Sequence, residues 1–592
     1  MSEPDVPIII VGGGPVGLMT SIMLSRMRVR HALFERHPGT SVHPKAVGLN
    51  QRTSEIFRDV GIADEVAALA APPHTVGGTS WHTSFAGPTP LHGRQIAARD
   101  AWGGGRYAEE YRAASPAPYL MIPQIRLEPV LKRAAESYAE GEIRFGHEVE
   151  LVTPEAEGAR VTIRTPEGSA LDLTARFVIV ADGGRSVAAQ LGITETGPRD
   201  LVDMVSAHVT ADLSAILPHH DSLIHWFVNP DLGGSIGAGY LYHIGPWDDR
   251  GASREWVFAA ASIPGDPVRF DEAGMRLRMQ RTLGVPDLEL EVNSISHWHI
   301  NAVVADRFRQ GDVFLVGDAA HRIPPWGALG LNTGVQDAHN LAWKLAAALA
   351  DPAFEPLLDT YDRERRRIAR NVADTSLRNF QNHGGIVDRA LGLEPGQQPD
   401  DGWRALGELW ASGARGDARR AAVAEAMTVL DQEFHAHGTE IGFGYPEGAL
   451  IPEDGSDQDS FGALVYEPST VPGHHLPHCW LVEDGVERST LDLQGPGRWA
   501  LIVDDRAEAW RDSLSASDAP LAAHVDVIEV GVDRAIADVS GAWASTRDIE
   551  SDGAILVRPD AFVAWRARTS DGIDGLDAAL RTLSGAPVGS VP

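Results

Sequence analysis

The chain has 592 residues, of which 43% are apolar and 22% are charged, which is typical of a soluble globular protein with two to four domains. Its net charge of −31 argues against nucleic acid and anionic membrane surfaces as partners, so an anionic ligand would need local binding groups. The single cysteine, Cys479, excludes an internal disulfide and a multi-cysteine zinc site. That cysteine content is typical of a reducing cytoplasm, and no stretch has the pattern of a signal peptide or a membrane span.

Residues 7–36 have the pattern of a dinucleotide-binding unit. PIIIV predicts a buried strand, Gly12, Gly14 and Gly17 form G-x-G-x-x-G, an apolar-faced helix follows, and HALFE predicts a second strand ending at Glu35. The glycines allow a tight turn, close approach of the backbone to a pyrophosphate and close helix–strand packing, and the acid about 20 residues later suits a ribose diol. The order of these features favours a dinucleotide site over the alternative, a glycine-rich turn in an unrelated α/β domain.

Residues 37–190 alternate between predicted loops, helices and strands. Lys45 is a cation near the predicted phosphate site, and a solvated basic residue is the plainer interpretation. Residues 71–118 are rich in Gly, Pro, His and Trp and predict a long irregular loop, such as a lid. Gln124 precedes a predicted helix. A buried strand ends at Asp182, and ligands of open α/β sheets bind at such strand ends.

Residues 200–300 predict five strands, at DMVSAHVTADL, DSLIHWFVN, SIGAGYLYHI, REWVFAAASI and LELEVNSISHWHI. The region is unusually aromatic. Each aromatic residue alone is best interpreted as core, but as a group they could wall a flat apolar ligand pocket.

Residues 312–345 predict a buried strand, an acidic turn, an irregular loop and a long helix. VFLV is the strand, Gly317 and Asp318 end it, and prolines and glycines exclude regular structure up to Leu331. Asn332 or Thr333 is expected to cap the helix. A loop of this kind, ending at a helix N-terminus, offers N–H groups and a positive dipole end to an electron-rich group.

The last 240 residues predict charged helices over 352–430, a boundary near 433–460 and a return to βαβ order over 460–592. That alternation is typical of a thioredoxin-like sheet, here without a cysteine pair, so packing or assembly is the expected role. His474, His475, His478 and Cys479 suggest a metal site, but their spacing matches no usual zinc site and a loop surface is favoured.

Three motifs carry a resemblance to a known family: GGGPVG at 12–17, ADGGRS at 181–186 and VGDAAHRIPPWGALGLNTG at 316–334. They resemble the class A flavoprotein monooxygenases of the para-hydroxybenzoate hydroxylase type, over nearly the whole chain. PHCWL at 477–481, LDLQGPGRWALIV at 491–503 and GAILVRPDAFVAWR at 553–566 resemble the C-terminal domain of phenol hydroxylase and of hydroxylases that tailor aromatic polyketides.

The resemblance implies an α/β fold in which an FAD-binding domain with a parallel sheet is interleaved with a β-sheet-rich substrate domain, followed by a helical segment and a thioredoxin-like domain that lacks C-x-x-C. The expected boundaries are 1–75, 110–190 and 297–350 for the FAD domain, 76–109 and 191–296 for the substrate domain, 351–435 for the helical segment and 440–592 for the C-terminal domain.

The resemblance also implies the reaction. The expected enzyme is an FAD-dependent monooxygenase that consumes NADH or NADPH and O2 and hydroxylates a phenolic, polycyclic aromatic substrate of the polyketide type through a flavin hydroperoxide. Its site must keep water out, because the hydroperoxide is otherwise lost as H2O2. The expected partners are the aromatic substrate and O2, the expected state is a monomer or homodimer, and no metal is expected.

Particular residues take roles by matching the family's motifs. The residues expected to bind FAD are Gly12, Gly14, Pro15, Val16, Gly17, Glu35, Arg36, Lys45, Gln124, Asp182, Gly317, Asp318, Pro325, Gly327, Gly330, Leu331 and Asn332. The residues expected to line the substrate are Trp226, Phe227, Tyr240, Trp256 and Trp326. His225, His43 and Pro325 are the candidates for catalysis, the histidines because a phenol with a pKa of about 10 needs a base at neutral pH.

One departure from the family pattern leaves alternatives open. After DGxxS the family usually continues with a Val-Arg pair, but here Ala188 and Ala189 follow Val187. That arginine is linked to the reductant or to flavin positioning, so the sequence does not decide between NADH and NADPH. Oxygen insertion beside a ketone, of the Baeyer–Villiger type, or oxidative rearrangement is the first alternative, and a non-catalytic flavin-binding partner protein is the second.

Overall fold

The computed structural model describes residues 4–184, 187–218, 222–248, 251–262, 270–453 and 464–585, and within these ranges three large sheets organise the chain. The first sheet has eight strands and a parallel centre. Its strands, in spatial order, are Arg309–Gln310, Val313–Leu315, Ala170–Val180, Val6–Val11, His31–Glu35 and Gly141–Phe145, with Ala159–Arg164 and then Glu148–Pro154 attached to Ala170–Val180.

The central strands of this sheet are buried on both faces, as their continuous apolar runs predict. Ile8, Ile9 and Ile10 have no exposed surface. Parallel neighbours need crossover connections, which helices usually supply. Helix Pro15–Arg26 is one of these, and it packs against helices Gln124–Glu136 and Leu329–Ala350. This arrangement confirms the predicted α/β fold built on a parallel sheet.

The second large sheet, called here the aromatic sheet, has seven strands. In spatial order they are Glu291–His299, Asp203–Thr210, Glu255–Ala261, Tyr240–His243, Ser222–Phe227, Gly78–His82 and Gln95–Asp100. Side chains alternate between the two faces of each strand. One face packs on Phe258 and Trp256, whereas the other carries Trp226 and Tyr240.

Three predicted features differ from the structure. Residues 71–118 are not an irregular loop, because they supply two strands of the aromatic sheet and helix Ala108–Ala114. SIGAGYLYHI is not one strand, since it begins with the short helix Gly234–Ala238 before strand Tyr240–His243. Helix Glu272–Leu283, between the last two predicted strands, was not predicted.

The third large sheet forms the C-terminal region. Its seven strands are, in order, Val486–Ser489, Trp480–Glu483, Ile536–Ala537, Val525–Gly531, Trp499–Val503, Ala554–Val557 and Val563–Ala567. Helix Ala507–Ala516 connects the parallel pair Trp499–Val503 and Val525–Gly531, which agrees with the predicted βαβ order. The thioredoxin-like classification stays a prediction.

A buried cluster of charges joins this region to the rest of the molecule. Both carboxylate oxygens of Glu364 accept hydrogen bonds of 2.9 Å from Arg558, and Lys344 donates another of 2.8 Å. These three side chains have no exposed surface. Burial opposes ionisation of Glu364, but Arg558 and Lys344 outweigh it and hold the pKa of Glu364 well below its ordinary value. Removing one partner of such a buried pair would leave an uncompensated charge.

The remaining elements are short strands and helices. One small sheet contains three strands, Glu195–Thr196, Val303–Ala305 and His321–Arg322. The other small sheet pairs Gly48–Leu49 with Leu120–Met121. The other helices are Gln51–Asp59, Ala63–Leu69, Val187–Gln190, Leu358–Asn382, Arg389–Leu391, Pro399–Gly407, Ala414–Val429, Asp431–Phe434, His437–Glu440, Ala542–Thr546 and Leu576–Leu583, with a π-helical turn at His383–Asp388. The 3-10 turns are Pro73–Thr75, Gly105–Tyr107, Pro230–Leu232, Gly317–Ala319, Pro352–Leu357, Glu408–Trp410, Thr490–Asp492, Pro520–His524 and Ser570–Gly575. Within the described ranges, no helix combines the length and the apolar character that crossing a membrane would require.

Candidate active site

The first glycine motif, at 12–17, forms a tight turn in which the positions of Gly12 and Gly17 require glycine. Gly12 has a φ of +107°, and a Cβ on Gly17 would lie 2.0 Å from the carbonyl oxygen of Gly12. A Cβ on Gly14, by contrast, would meet no atom within 4 Å, so the backbone is open on that side. Helix Pro15–Arg26 starts immediately afterwards, with Pro15 in its first turn. An open backbone beside a helix N-terminus fits a pyrophosphate group.

Contacts made by glycines bring all three motifs together. A Cβ on Gly12 would lie 2.3 Å from the carbonyl oxygen of Ala181, in the second motif. A Cβ on Gly184 would lie 2.5 Å from the carbonyl oxygen of Asp318, in the third motif. The motifs therefore line one cleft at the carboxyl ends of the parallel strands. Arg185 and Ser186, which complete the second motif, lie outside the described residues.

The side chain of Val16, in the first motif, packs directly against two glycines of the third motif. A Cβ on Gly317 would lie 3.0 Å from Cγ2 of Val16, and a Cβ on Gly334 would lie 2.7 Å from the same atom. The strand end and the long helix can approach Val16 only because both positions lack a side chain. Val16 is thus a packing residue of the cleft.

Glu35 lies at the end of the second parallel strand with both carboxylate oxygens held by the backbone. Oε2 accepts a hydrogen bond of 2.8 Å from the N–H of Gly13, and Oε1 accepts one of 2.8 Å from the N–H of His37. Each oxygen keeps a lone pair that a ribose hydroxyl can use. Arg36 follows on the exposed surface.

Asp318 is an open acid in the same cleft. Its carboxylate has no hydrogen-bond partner among the described residues and can be reached by solvent. The surrounding protein raises the pKa of Asp318 by desolvation, against the attraction of His321, Lys45 and Arg322. Lys45 is exposed and thus free to move toward an anionic group. An unpaired acid beside these cations fits the ribityl hydroxyls and phosphates expected of FAD.

Asp182 and Gln124 position backbone beside the cleft. Oδ1 of Asp182 accepts a hydrogen bond of 2.9 Å from the N–H of Gly184 and so shapes the second motif. Gln124 donates its side-chain N–H to Glu128, and its backbone N–H donates to the carbonyl of Ala46 at 2.9 Å. These bonds hold the segment that carries Lys45.

The Pro/Gly loop ends differently from the sequence expectation. The long helix begins at Leu329, and Ala328, with a φ of 55°, occupies its cap position without a side-chain bond. The side chain of Asn332 does not cap the helix, because it binds the carbonyl of Gly48 and the N–H of Asn50, each at 3.0 Å. The first-turn N–H groups at 329–331 have no partners within the helix, so they are available at its positive end.

Pro325, Gly327, Gly330 and Leu331 are the remaining members of this predicted flavin-binding loop. Pro325 is exposed and the other three are half-buried. Gly327 has a φ of +93°, which favours glycine. The loop therefore presents mostly backbone.

A fully buried network supports the loop from behind. Asp337 accepts from Nε of Arg365 at 2.8 Å, lies 2.7 Å from Nε2 of His321 and accepts from the N–H of Gly317 at 3.1 Å. Burial opposes the ionisation of Asp337, but His321 and Arg365 outweigh it and lower its pKa. The network ties the strand end to the long helix.

Aromatic side chains from four separate segments meet on one face of the aromatic sheet. The ring of Trp226 lies 4.8 Å from Tyr240 and 4.4 Å from His383, and Trp326 lies 6.4 Å from Tyr240. Phe380 lies 4.5 Å from Trp326. Trp326 belongs to the Pro/Gly loop, so this wall adjoins the cleft. We call these five residues the aromatic wall.

Three predicted site residues lie on the opposite face of the sheet. Phe227 and Trp256 belong to the core between the sheet and helix Glu272–Leu283. His225 has no exposed surface, and its ring lies 5.3 Å from Phe85 and 3.0 Å from the hydroxyl of Ser80. Successive side chains of a strand point to opposite faces, so Trp226 reaches the wall and its two neighbours do not. We leave His225, Phe227 and Trp256 out of the proposed site.

His43 lies on the same face as the aromatic wall but beside a different strand. Its Nδ1 is 2.8 Å from the hydroxyl of Ser294, and burial lowers its pKa to about 4. A base that weak is a poor acceptor for a phenolic proton at neutral pH.

Three further residues beside the aromatic sheet, Phe380, His383 and Glu433, have no sequence pattern that marks them as site residues. His383 and Glu433 are 50 residues apart and lie 2.8 Å from each other. Neither lies in a motif, and the charged helical pattern around them indicates an exposed surface. Only their burial in the structure identifies them.

Of the residues expected on a loop surface near Cys479, His474 and His478 are half-buried, whereas His475 and Cys479 depart from that expectation. His475 and Cys479 are each 5% exposed. Among the described residues, no group of three or more His, Cys, Asp or Glu side chains is arranged to hold a metal.

Comparisons with known proteins agree with this geometry. A family model described as FAD binding domain matches residues 5–376, and one described as aromatic-ring hydroxylase, C-terminal, matches residues 469–587. A 2,4-dichlorophenol 6-monooxygenase of Delftia acidovorans is 32% identical, with 98% of each chain covered. A "Putative polyketide hydroxylase" of Streptomyces halstedii is 34% identical over 95% of this chain and 93% of its own.

A solved structure also matches nearly the full length. It is the flavin-dependent monooxygenase PieE in complex with FAD and substrate. The two chains share 37% identity and a TM-score of 0.91, covering 99% of this chain and 100% of the other.

Proposed function

The chain belongs to the family of FAD-binding aromatic-ring hydroxylases, and we propose that its substrate is a phenolic, polycyclic aromatic compound of the polyketide type. NADH or NADPH is the proposed reductant and O2 the oxidant. The family relatives include enzymes named for a chlorophenol and for polyketides, so the size of the substrate is the open question.

The aromatic wall is the observation that carries this proposal. The rings of Trp226, Tyr240 and Trp326 lie in contact next to the cofactor cleft, and Phe380 extends this aromatic group. Aromatic faces stack on flat apolar rings, and a wall that spans several side chains suits more than one ring.

The residues of the cleft fit FAD. Gly14 leaves room for the pyrophosphate, Glu35 is set to accept from the adenosine ribose, and Asp318 is an unpaired acid for the ribityl chain. Bound FAD would supply the reduction of O2 and the transfer of one oxygen atom to the ring.

The chain's own residues would then control charge and water. The N–H groups at the start of helix Leu329–Ala350 favour negative charge at the adjacent end of the cleft. Trp326, which is 6% exposed, and the aromatic wall exclude water from the space between cofactor and substrate.

Product analysis tests the proposal. Purified enzyme with NADH or NADPH is incubated with monocyclic and polycyclic phenols, and products are examined by mass spectrometry and NMR. A gain of one oxygen atom as a ring hydroxyl, fastest with polycyclic phenols, is expected. Products only from monocyclic phenols would contradict the substrate class, and a lactone in the NMR spectrum would indicate Baeyer–Villiger chemistry.

A variant of Asp318, with a matched control, tests whether activity depends on flavin held by this acid. Asp318→Ala is expected to lose bound flavin during gel filtration and, with it, both NAD(P)H oxidation and product, whereas Arg404→Ala, at an exposed side chain of helix Pro399–Gly407, keeps both. Full flavin occupancy in Asp318→Ala would contradict the assignment of this acid.

We also propose that the enzyme works in the cytoplasm as a monomer or homodimer. With a single cysteine the chain can form no internal disulfide, which is typical of proteins of a reducing cytoplasm. Light scattering during gel filtration measures the oligomeric state.

A further inference from the structure

His383 occupies an unusual place in the chain. Helix Leu358–Asn382 is followed without a break by the π-helical turn His383–Asp388. Turns of this type are rare and are often found at functional sites. The side chain of His383 is 3% exposed and forms part of the aromatic wall, 4.4 Å from Trp226 and 6.5 Å from Trp326.

A buried carboxylate holds the imidazole in one orientation. Nε2 of His383 lies 2.8 Å from Oε2 of Glu433, which belongs to the short helix Asp431–Phe434 and is also 3% exposed. A carboxylate on one ring nitrogen fixes the proton there and leaves the lone pair on the other nitrogen. Among the residues that the structure describes, the contact of Nε2 with Glu433 is the one side-chain hydrogen bond of the His383 ring, and Nδ1 is not used in it.

Other titratable groups surround the pair from each neighbouring element. Asp388, in the same π-helical turn, accepts from the N–H and the hydroxyl of Ser235, and burial raises its pKa to about 6. Tyr240 faces the pair from the aromatic sheet, and burial raises the pKa of its phenol. Burial also raises the pKa of Glu433, against the attraction of His383. The group therefore contains one imidazole among three acidic side chains.

We propose that His383, oriented by Glu433, accepts the phenolic proton of the substrate; this inference rests on the proposed function. The O–H bond of the substrate breaks, the proton moves to Nδ1, and the electron pair stays on the oxygen, which makes the ring more electron-rich. The carboxylate of Glu433 stabilises the imidazolium that forms. The proton returns to the oxygen of the hydroxylated product, so His383 ends neutral. His383 would be the catalytic base and Glu433 its positioning residue.

A pH titration of a bound ligand tests this without turnover. A hydroxyanthraquinone whose phenolate absorbs visible light is added to the oxidised holoenzyme, and its ionisation is followed against pH. In the wild type, the bound phenol is expected to ionise at a lower pH than in water. In His383→Gln, its ionisation is expected at least one pH unit higher than in the wild type. Glu433→Gln should fall between them, and His225→Gln, on the other face of the sheet, should match the wild type.

Turnover supplies the second measurement. His383→Gln is expected to hydroxylate about 100-fold more slowly at pH 7, with recovery as the pH approaches that of the free phenol, because a positioned base contributes about 100-fold or more. Flavin content and the unfolding temperature show whether each variant is folded. Equal ionisation pH and parallel pH–rate profiles in the wild type and His383→Gln would overturn the assignment. A wild-type enzyme that yields no oxygenated product would instead contradict the proposed function, while the ligand titration would still report on His383.

Discussion

The cofactor cleft and the aromatic wall are built from different parts of the chain. In the cleft, the functional surface is mostly backbone, and the key positions are glycines such as Gly12, Gly14 and Gly17. In the wall, the functional surface consists of side chains such as Trp226 and His383, brought together from a strand and a distant helical turn. A cofactor common to many enzymes can be held by a fixed backbone, whereas a particular substrate needs side chains that differ from enzyme to enzyme.

The buried acids of the two regions also differ in how completely they are paired with cations. Behind the cleft, Asp337 and Glu364 are fully paired with cations, and their pKa values are lowered. On the substrate side, burial raises the pKa of Asp388 to about 6. It also raises to about 8 the pKa of Glu440, whose carboxylate contacts Tyr111 of the apolar cluster that includes Trp226. Paired charges make a rigid support, whereas incompletely paired acids destabilise the fold and are typical of functional sites.

The largest expected effect concerns the backbone of the cleft. Gly17→Ala should weaken FAD binding by 100-fold or more, because its Cβ would lie 2.0 Å from the carbonyl oxygen of Gly12 and the turn must open. The ratio of flavin to protein absorbance after gel filtration measures this. Gly14→Ala is the matched variant: its Cβ meets no protein atom within 4 Å, so the apoprotein should keep its unfolding temperature while binding FAD less tightly. Full flavin content in Gly17→Ala would show that the cleft does not depend on its backbone.

The second prediction concerns the support behind the cleft. Asp337→Asn should lower the free energy of unfolding by about 3–5 kcal/mol at pH 7, because Arg365 and His321 lose a buried carboxylate. The folded-state pKa of Asp337 lies below its ordinary 3.8, so its contribution is complete above about pH 4 and is lost as the pH falls further. Urea unfolding of both proteins at several pH values should therefore show a difference that shrinks below pH 4. A difference that persists unchanged at pH 3 would mean that packing, not charge, is responsible.

The third prediction concerns an acid on the substrate side. Glu440 is 2% exposed, and the one hydrogen bond that its carboxylate accepts among the described residues is a contact of 3.4 Å from the hydroxyl of Tyr111. Its folded-state pKa is about 8 and its ordinary value is 4.5, so the unfolded state ionises first and stability falls as the pH rises between these values. Glu440→Gln should therefore stabilise the protein by about 3 kcal/mol at pH 7, since each pKa unit corresponds to about 1.4 kcal/mol.

The pH dependence of the free energy of unfolding shows whether Glu440 is neutral or ionised in the folded protein. Urea unfolding should show equal stability of wild type and Glu440→Gln below pH 4.5 and a growing difference up to pH 8. A variant that is less stable than the wild type at pH 7 would indicate that Glu440 is ionised and paired, as Asp337 is.

The smallest expected effect compares two adjacent residues on opposite faces of the aromatic sheet. Trp226→Leu should raise the KM for a phenolic substrate about tenfold with unchanged flavin content, because a stacking surface worth about 1.4 kcal/mol is lost. Phe227→Leu should leave KM unchanged and lower the free energy of unfolding by about 1–3 kcal/mol, since it only fills the core. Steady-state kinetics and urea unfolding measure both. Similar KM values for the two variants would remove the distinction between the faces.

The contrast between cleft and wall also explains how far sequence patterns were sufficient. The strand, turn and acid of residues 7–36 lie next to one another in the chain, so Gly12, Gly17 and Glu35 could be placed from their spacing. The aromatic residues near 225 were recognised as a group. Their assignment to faces was not, because His225, Trp226 and Phe227 differ only in register, and the register depends on pairing with strands far away in the chain.

Short-range patterns were enough for the α/β fold and for the glycine turn at residues 12–17, because glycine conformations and strand ends depend mainly on neighbouring residues. Only tertiary contacts decided that Asn332 binds the backbone of Gly48 and that His383 meets Glu433 beside Trp226. The reason is that side chains from distant segments are placed by the packing of whole elements, and no local pattern records which elements will meet.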